Sequence, residues 1–183
     1  MKPWKTLSRQ TVFNPNRFLA VEVHSVELPN GRVIPDWTWI KVPEYANILA
    51  RTAEGKFLCF RQVKYAVPGP CLAPPGGYLE PGEDPLAAAK RELEEETGFV
   101  SNDWHPLGPY IVDSNRGAGK AHFFLALDAR ETGRKTADDL EEQHLLQLTR
   151  DELEQALDNG QIPVLGFAAL LGLGLRKLDQ LAI

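Results

Sequence analysis

The sequence has little of what marks secreted, membrane-spanning or nucleic-acid-binding proteins. Its two cysteines, Cys59 and Cys71, are too few for a disulfide framework and lack the spacing of a metal site. The opening stretch, MKPWKTLSRQ, contains no apolar core of a secretory signal. The uncharged run at 163–175 is too short to cross a bilayer. We therefore expect a cytoplasmic protein with reduced thiols and no membrane partner.

The sequence also has fewer basic than acidic residues. It contains 20 Lys and Arg and 25 Asp and Glu, which gives a formal net charge of −5. General nucleic-acid binders draw their affinity from a basic surface, so we do not expect a nucleic-acid partner. A small anionic substrate stays open, since a metal ion or a few local cations can reverse the sign within one cleft. The length suits one domain, 46–183, preceded by a small extension, 1–45.

Alternating apolar and polar residues, separated by Gly- and Pro-containing turns, predict a mixture of strands and helices. The N-terminal part is expected to be an antiparallel β unit with a turn at 29–31. The expected strands lie at 21–26, 32–42, 46–51, 57–63, 107–112, 121–127 and 144–148. The segments 65–76 and 113–120 are expected loops, and helices are expected after Asp84, after Thr149 and from Pro163. This order fits an α/β/α sandwich around a mixed sheet.

The predicted helix between Asp84 and Gly98 ends in a cluster of acids where cations are preferred. Asp84 is a good N-cap, Pro85 suits the first helical position and Gly98 is a natural stop. Its last turn carries Glu92, Glu94, Glu95 and Glu96. Each carboxylate at this negative end of the helix dipole costs about 0.3–1 kcal/mol. A solvated helix face is the ordinary interpretation of such a stretch, but three of the acids lie in one narrow arc and can converge on a hard cation.

A longer pattern around this helix resembles the signature of the Nudix hydrolases. That signature is Gly, five residues, Glu, seven residues, Arg-Glu, an aliphatic, any residue, Glu-Glu, any residue, Gly, and an aliphatic or aromatic. It is matched without a gap by Gly77, Glu83, Arg91, Glu92, Leu93, Glu95, Glu96, Gly98 and Phe99. The resemblance implies an α/β/α sandwich around a mixed sheet, and hydrolysis of a nucleoside diphosphate linked to another group. Mg²⁺ is the implied cofactor, with Mn²⁺ as an alternative.

The resemblance also assigns roles within the motif. The metal ligands would be the Gly76 carbonyl and the carboxylates Glu92, Glu95 and Glu96, of which Glu95 and Glu96 also count as catalytic. Glu83 and Arg91 are interpreted as supports that hold the helix against its loop, with an indirect role in orienting ligands as the alternative.

Three stretches around the motif resemble the ADP-ribose/ADP-sugar pyrophosphatase branch: 60–67 (FRQVKYAV), 72–77 (LAPPGG) and 80–83 (EPGE). The likeness implies ADP-ribose or a related ADP-sugar as substrate, AMP and a sugar phosphate as products, and a homodimer. Arg61 or Lys64 would meet the diphosphate or the terminal ribose; charged strand ends in water are the alternative.

Two departures from that branch keep other substrates open. Lys64 stands where Arg is usual, and the loop 113–120 replaces a Ser-Pro-Gly-like segment. Arg116 and Lys120 in this loop have the charge to hold phosphate. GDP-mannose, NADH, coenzyme A, a dinucleoside polyphosphate or a damaged nucleotide remain alternatives, as does a ligand sensor without turnover.

The catalytic base in this branch lies on an acidic loop late in the chain. Here the corresponding region is 138–142, in which we expect Glu141 to add a metal ligand and Asp139 or Glu142 to accept the proton of the attacking water; a solvated run of charges is the alternative for each of them. Trp39, in the N-terminal unit, is a candidate for stacking on the substrate base; a core or interface position is the alternative.

Overall fold

The computed structural model describes residues 1–133 and 142–182. Its strands are β1 (Lys5–Asn16), β2 (Leu19–Glu27), β3 (Val33–Lys41), β4 (Tyr45–Thr52), β5 (Phe57–Val63), β6 (Pro70–Ala73), β7 (Gly76–Tyr78), β8 (Phe99–Val100), β9 (Asp103–Asp113), β10 (Gly117–Glu131) and β11 (Gln143–Leu148). Its helices are α1 (Pro85–Thr97), α2 (Arg150–Asp158) and α3 (Leu165–Leu181).

The chain forms two compact units. Unit 1 comprises Met1–Glu44 and Tyr110–Lys120, and unit 2 comprises Tyr45–Pro109 and Ala121–Ile183. Unit 1 therefore takes in a segment from the middle of the sequence, which the linear division at residue 45 does not foresee. That division stays a prediction.

Unit 1 is built on an antiparallel sheet, as the sequence predicts for the N-terminal part. β1 pairs with β2, and β2 pairs with β3. The start of β10 joins β3 through one parallel pair, Gly117 with Ile40. β1 lies at the edge, where β2 is its partner among the described residues, and every one of its residues is exposed.

Unit 2 contains a mixed sheet between helices, which confirms the predicted α/β/α sandwich. β10 runs parallel to β4, while β4 is antiparallel to β7. β5 is antiparallel to both β6 and β11. Because side chains alternate along a strand, Ala46 and Ile48 of β4 pack under α1 with Leu93. Leu49 faces the other way, into the cluster formed with α2 and α3.

α1 begins and ends at the residues that its capping pattern predicts. The Asp84 carboxylate accepts the N–H groups of Leu86 and Ala87, each at 3.0 Å. Gly98 adopts a left-handed conformation with φ of 74°, and its N–H donates to the Glu94 carbonyl at 2.9 Å. Both ends are closed by groups that the sequence itself supplies.

The structure corrects the sequence-based expectations in several segments. β1 is an additional strand, and the expected loop at 65–76 contains β6 and the first residue of β7. The expected loop at 113–120 is shorter, because β10 begins at Gly117 and the Asp113 carboxylate accepts the N–H groups of Asn115 and Arg116, each at 2.7 Å. The last helix begins at Leu165, since Val164 and not Pro163 is its N-cap. Along the described chain, no helix combines the length and the apolar character that a membrane span requires.

We expect Asp84→Ala to lower the free energy of unfolding by about 0.5–2 kcal/mol, because two N–H groups of α1 lose their acceptor. Asp84→Asn is the matched control, since Asn caps helices about as well as Asp. Urea denaturation followed by circular dichroism measures both variants. An equal loss of stability in both would show that the cap hydrogen bonds are not the cause.

Candidate active site

Two glycines of β7 lie against the acidic end of α1. β7 pairs with β4, which places Gly77 opposite Ala46 on the face that α1 covers. A β-carbon at Gly77 would lie 2.5 Å from the carboxyl carbon of Glu92. The Glu92 carboxylate therefore occupies the space that any other residue at position 77 would need for its side chain.

Gly76 makes the second contact with this end of the helix. Its N–H donates to a carboxylate oxygen of Glu96 at 2.8 Å. Its φ of 149° lies in a region that favours glycine, and a β-carbon there would come 2.2 Å from the Ala46 carbonyl oxygen. The Gly76 N–H thus holds the Glu96 carboxylate, and Gly77 leaves the space that the Glu92 carboxylate occupies.

Arg91 offsets part of the negative charge of the cluster. Its guanidinium donates to both oxygens of Glu83, each at 3.0 Å. It also donates to Glu92 at 2.8 Å and to Glu95 at 3.1 Å. The predicted pairing of Arg91 with Glu83 is present, and it links the loop before α1 to the last turns of the helix.

The two flanking carboxylates differ in their titration for physical reasons. The hydrogen bonds from Arg91 hold the pKa of Glu83 below its usual range. Burial raises the pKa of Glu92, and the neighbouring Arg91 only partly opposes this. The charged form of Glu92 is therefore poorly solvated, and an additional positive charge nearby would stabilise it.

The donor set fits a hard divalent cation. In the part of the chain that the structure describes, no three His, Cys, Asp or Glu side chains converge as in a formed metal site. All the available donors are nevertheless oxygens, as Mg²⁺ and Mn²⁺ prefer. Glu95 is 44% exposed and can turn, and Glu92 lacks solvent. The ligand set stays a prediction.

Of the two predicted phosphate-binding residues of unit 2, one lies away from α1. Arg61 shares a face of β5 with Phe57 and Cys59, which pack under α2 and α3. There it lines a cavity of about 370 Å³ together with Leu146 and other residues of β11 and α2. Alternation along β5 turns the Arg61 side chain to the face opposite Leu58; its predicted contact with the diphosphate or the terminal ribose stays a prediction.

The neighbouring residue, Gln62, is one that sequence reasoning misses. It is 6% exposed and shares the α1-facing side of β5 with Leu58, which packs with Leu93. The alternation of β5 is the signal that identifies it. Lys64 follows β5 with the same parity and is half-buried; its predicted substrate contact stays a prediction.

Of the predicted catalytic loop, Glu142 lies within the described residues. Asp139 and Glu141 lie outside them. The Glu142 side chain is 90% exposed, and its carboxylate lies 3.5 Å from Nε2 of His144. It lines a cavity of about 520 Å³ whose other lining residues include Arg61, Gln62 and Val63. An exposed carboxylate beside a cavity is compatible with the predicted role of a base.

The remaining candidates belong to unit 1, where they are tied into an aromatic cluster. The Trp39 ring stacks on His24 with centroids 5.5 Å apart, and Trp37 donates from Nε1 to the Asn115 carbonyl at 2.9 Å. The Arg116 guanidinium lies 4.6 Å from the centroid of the Trp37 ring. Trp37 and Trp39 line a cavity of about 350 Å³. Substrate binding by Trp39 and Arg116 stays a prediction.

Comparison with known proteins gives two family matches. The NUDIX domain matches residues 41–165, and the nucleoside diphosphate sugar hydrolase N-terminal domain matches residues 4–40. The ADP-ribose pyrophosphatase of Bacillus subtilis (strain 168) is 30% identical over 153 residues, which cover 84% of this chain and 80% of that protein. The methanol dehydrogenase activator of Bacillus methanolicus is 30% identical over 160 residues, covering 86% and 85%.

A solved structure shows the same fold. The crystal structure of ADP compounds hydrolase superposes with a TM-score of 0.81 at 20% sequence identity, covering 99% of this chain and 97% of that one. The resemblance that the motif predicts is thereby confirmed at the level of family and fold.

We expect Glu92→Gln to raise the free energy of unfolding of the metal-free protein at pH 7 by about 1 kcal/mol. It removes a negative charge from the end of the helix and the repulsion of that charge by two neighbouring carboxylates. The folded pKa of Glu92 is raised, so its carboxylate opposes folding above that pKa. The gain should disappear below the ordinary carboxyl pKa, where Glu92 is protonated in both states.

Thermal unfolding at pH 7 and at acidic pH, with chelator or with added divalent cation, measures this. Glu94→Gln is the matched control: it removes a charge from the same turn, should stabilise less, and should keep the stabilisation by cation that Glu92→Gln loses. A metal-free Glu92→Gln variant that is less stable than the wild type at pH 7 would contradict the prediction.

Proposed function

Because the chain belongs to the Nudix hydrolase family, we propose that it hydrolyses the diphosphate of ADP-ribose or a related ADP-sugar, with Mg²⁺ as cofactor, giving AMP and a sugar phosphate. The relative from Bacillus subtilis that bears the name ADP-ribose pyrophosphatase supports the substrate class. The match to the nucleoside diphosphate sugar hydrolase N-terminal domain supports it as well.

The observation that carries the proposal is the acid cluster at the end of α1. Glu92 fills the space over Gly77 and Glu96 bonds to the Gly76 N–H at 2.8 Å. With Arg91 holding Glu83, Glu92 and Glu95, the carboxylates are gathered at a place that folding alone would avoid. A sensor without turnover has no need for the complete set.

The residues that would hold the cation are Glu92, Glu95, Glu96 and the Gly76 carbonyl. When bound, it neutralises diphosphate charge and lowers the pKa of a coordinated water. The protein itself orients this set. Arg91 holds Glu92 and Glu95, and the Gly76 N–H holds Glu96. Lys64 adds a positive charge for the diphosphate, as a point charge and not as a bidentate fork.

The hydrolytic step needs a proton acceptor beside the attacking water. A bond forms from the water oxygen to phosphorus, the bond from phosphorus to the bridging oxygen breaks, and the water's proton passes to a carboxylate. We assign this carboxylate to Asp139 or Glu142, and an additional metal contact to Glu141. The sugar phosphate or AMP leaves with the bridging oxygen.

We expect the wild type to release AMP from ADP-ribose in the presence of Mg²⁺, and Glu95→Gln and Glu96→Gln to lower kcat by more than roughly 100-fold, since even indirect supports of metal ligands contribute 10–100-fold. Chromatography of the nucleotide products measures the reaction. Glu94→Gln, one residue away on α1, should keep wild-type activity. A folded wild type that releases no AMP would exclude ADP-ribose and direct the search to other nucleoside diphosphate derivatives.

We also propose a homodimer that forms through β1. An exposed strand edge is a ready template for pairing with another chain. β1 is 12 residues long, and its exposed apolar side chains include Leu7 (45%), Val12 (52%) and Phe13 (54%). A second copy would cover both the unpaired backbone groups and these side chains.

We expect the double variant Val12→Glu/Phe13→Glu to dissociate this dimer, because introduced charges repel across a two-fold contact. Light scattering at micromolar concentration should show a mass falling to that of the 20.4-kDa chain. Leu165→Glu is the control, since Leu165 is 81% exposed at the start of α3 in unit 2. A wild type that is already monomeric under these conditions would reject the dimer.

A further inference from the structure

A buried amide lies directly behind Gly76. Asn47 of β4 is 4% exposed, and its Nδ2 atom has no hydrogen-bond partner among the described residues. Buried polar groups in folded proteins are nearly always hydrogen-bonded. His105 Nε2 is the other such atom among the described residues, but it lies 3.0 Å from the Asp103 carboxylate, and packing alone does not explain a carboxamide at position 47.

The strand register places Asn47 against Gly76 on the face of the sheet away from α1. Asn47 is the antiparallel partner of Gly76 and the parallel partner of Phe123. Its neighbours Ala46 and Ile48 pack under α1, so alternation turns the Asn47 side chain to the other face, where Phe123 is buried. α1 and Asn47 thus contact opposite sides of the same short backbone segment.

The contact between the two residues is close. A β-carbon on Gly76 would lie 2.6 Å from Asn47 Oδ1 and 2.8 Å from Asn47 Cα. The carboxamide occupies the place where a side chain at 76 would go, and it blocks movement of the Gly76 peptide in that direction. On the other side, the Gly76 N–H is held by Glu96 at 2.8 Å.

We propose that Asn47 is a positioning residue for the metal-binding end of the active site. Its carboxamide supports the Gly76 peptide from behind, which keeps the N–H on Glu96 and the carbonyl directed to the cation. The inference rests on the proposed function, in which the Gly76 carbonyl and Glu96 hold the divalent ion. Groups that orient metal ligands without touching the metal commonly set its affinity, and local rules of stability are broken most often at functional sites.

Two variants separate the carboxamide from its volume. Asn47→Leu keeps a side chain branched at the same atom but removes the polar group, and Asn47→Ala removes both. We expect each to weaken Mn²⁺ binding to the substrate-free protein by about 10-fold, because Asn47→Ala removes the support of the Gly76 peptide and the methyl groups of Asn47→Leu are too large for the place of Oδ1 and displace that peptide; electron paramagnetic resonance of free Mn²⁺ measures this. Exchange of the Gly76 amide hydrogen should become faster. At saturating metal, KM for ADP-ribose should stay within about 2-fold of the wild type, because Asn47 is 4% exposed and its proposed role is confined to the metal ligands.

The outcomes are distinct from those that test the substrate. Wild-type Mn²⁺ affinity and Gly76 exchange in Asn47→Leu would overturn the proposal and leave Asn47 as a space-filling residue. A wild type that binds no Mn²⁺ would overturn it together with the metal site. Weakened Mn²⁺ binding in both variants, with a wild type that does not cleave ADP-ribose, would support Asn47 and reject only the substrate. Should Asn47→Ala fail to fold, Asn47→Leu alone decides between these results.

Discussion

The charge balance at the end of α1 is the constraint on which the rest of the site depends. Carboxylates crowd the helix end that prefers cations, and the last turn of α1 contains no basic residue. The Arg91 guanidinium opposes this repulsion by donating hydrogen bonds to Glu83, Glu92 and Glu95. One fixed cation among so many acids leaves the cluster with negative charge to spare. Arg91 thus holds the carboxylates together, and the remaining negative charge favours the binding of a second cation.

The backbone of β7 converts this charge cluster into a site. Because Gly77 has no side chain, the Glu92 carboxylate can lie against the strand, and because Gly76 adopts φ of 149°, its N–H can meet Glu96. β4 fixes both glycines by pairing with β7. The helix supplies the charges and the sheet supplies the place where they gather, so neither element alone defines the site.

What the sequence could predict follows from how local each signal is. The bounds of α1 are set by Asp84 and Gly98, which act within one turn, and the motif that spans this helix from Gly77 to Phe99 identifies the family. The face of β5 on which Arg61 lies depends on the register of β5 against β11 and on what covers each face, and the charge of Arg61 does not reveal either. β1 escapes prediction because all of its residues are exposed, and an edge strand without a buried face lacks the two-residue period. In the sequence, Asn47 is a polar residue within an apolar strand. Its position beside Gly76 follows only from the pairing of β4 with β7.

Several local costs of unit 2 meet within a few residues of Gly76. Burial raises the pKa of Glu92, the Gly76 backbone lies where other residues are strained, and Asn47 keeps a buried donor without a partner among the described residues. The apolar core of unit 2 lies on both faces of the sheet, where Leu93 and Leu125 are fully buried in separate clusters. Stability that the two clusters provide lets the chain hold these unfavourable groups in one place. These three unfavourable features lie on both faces of a single backbone segment. A ligand that binds the Glu92 and Glu96 carboxylates would therefore affect the free energy of all three together.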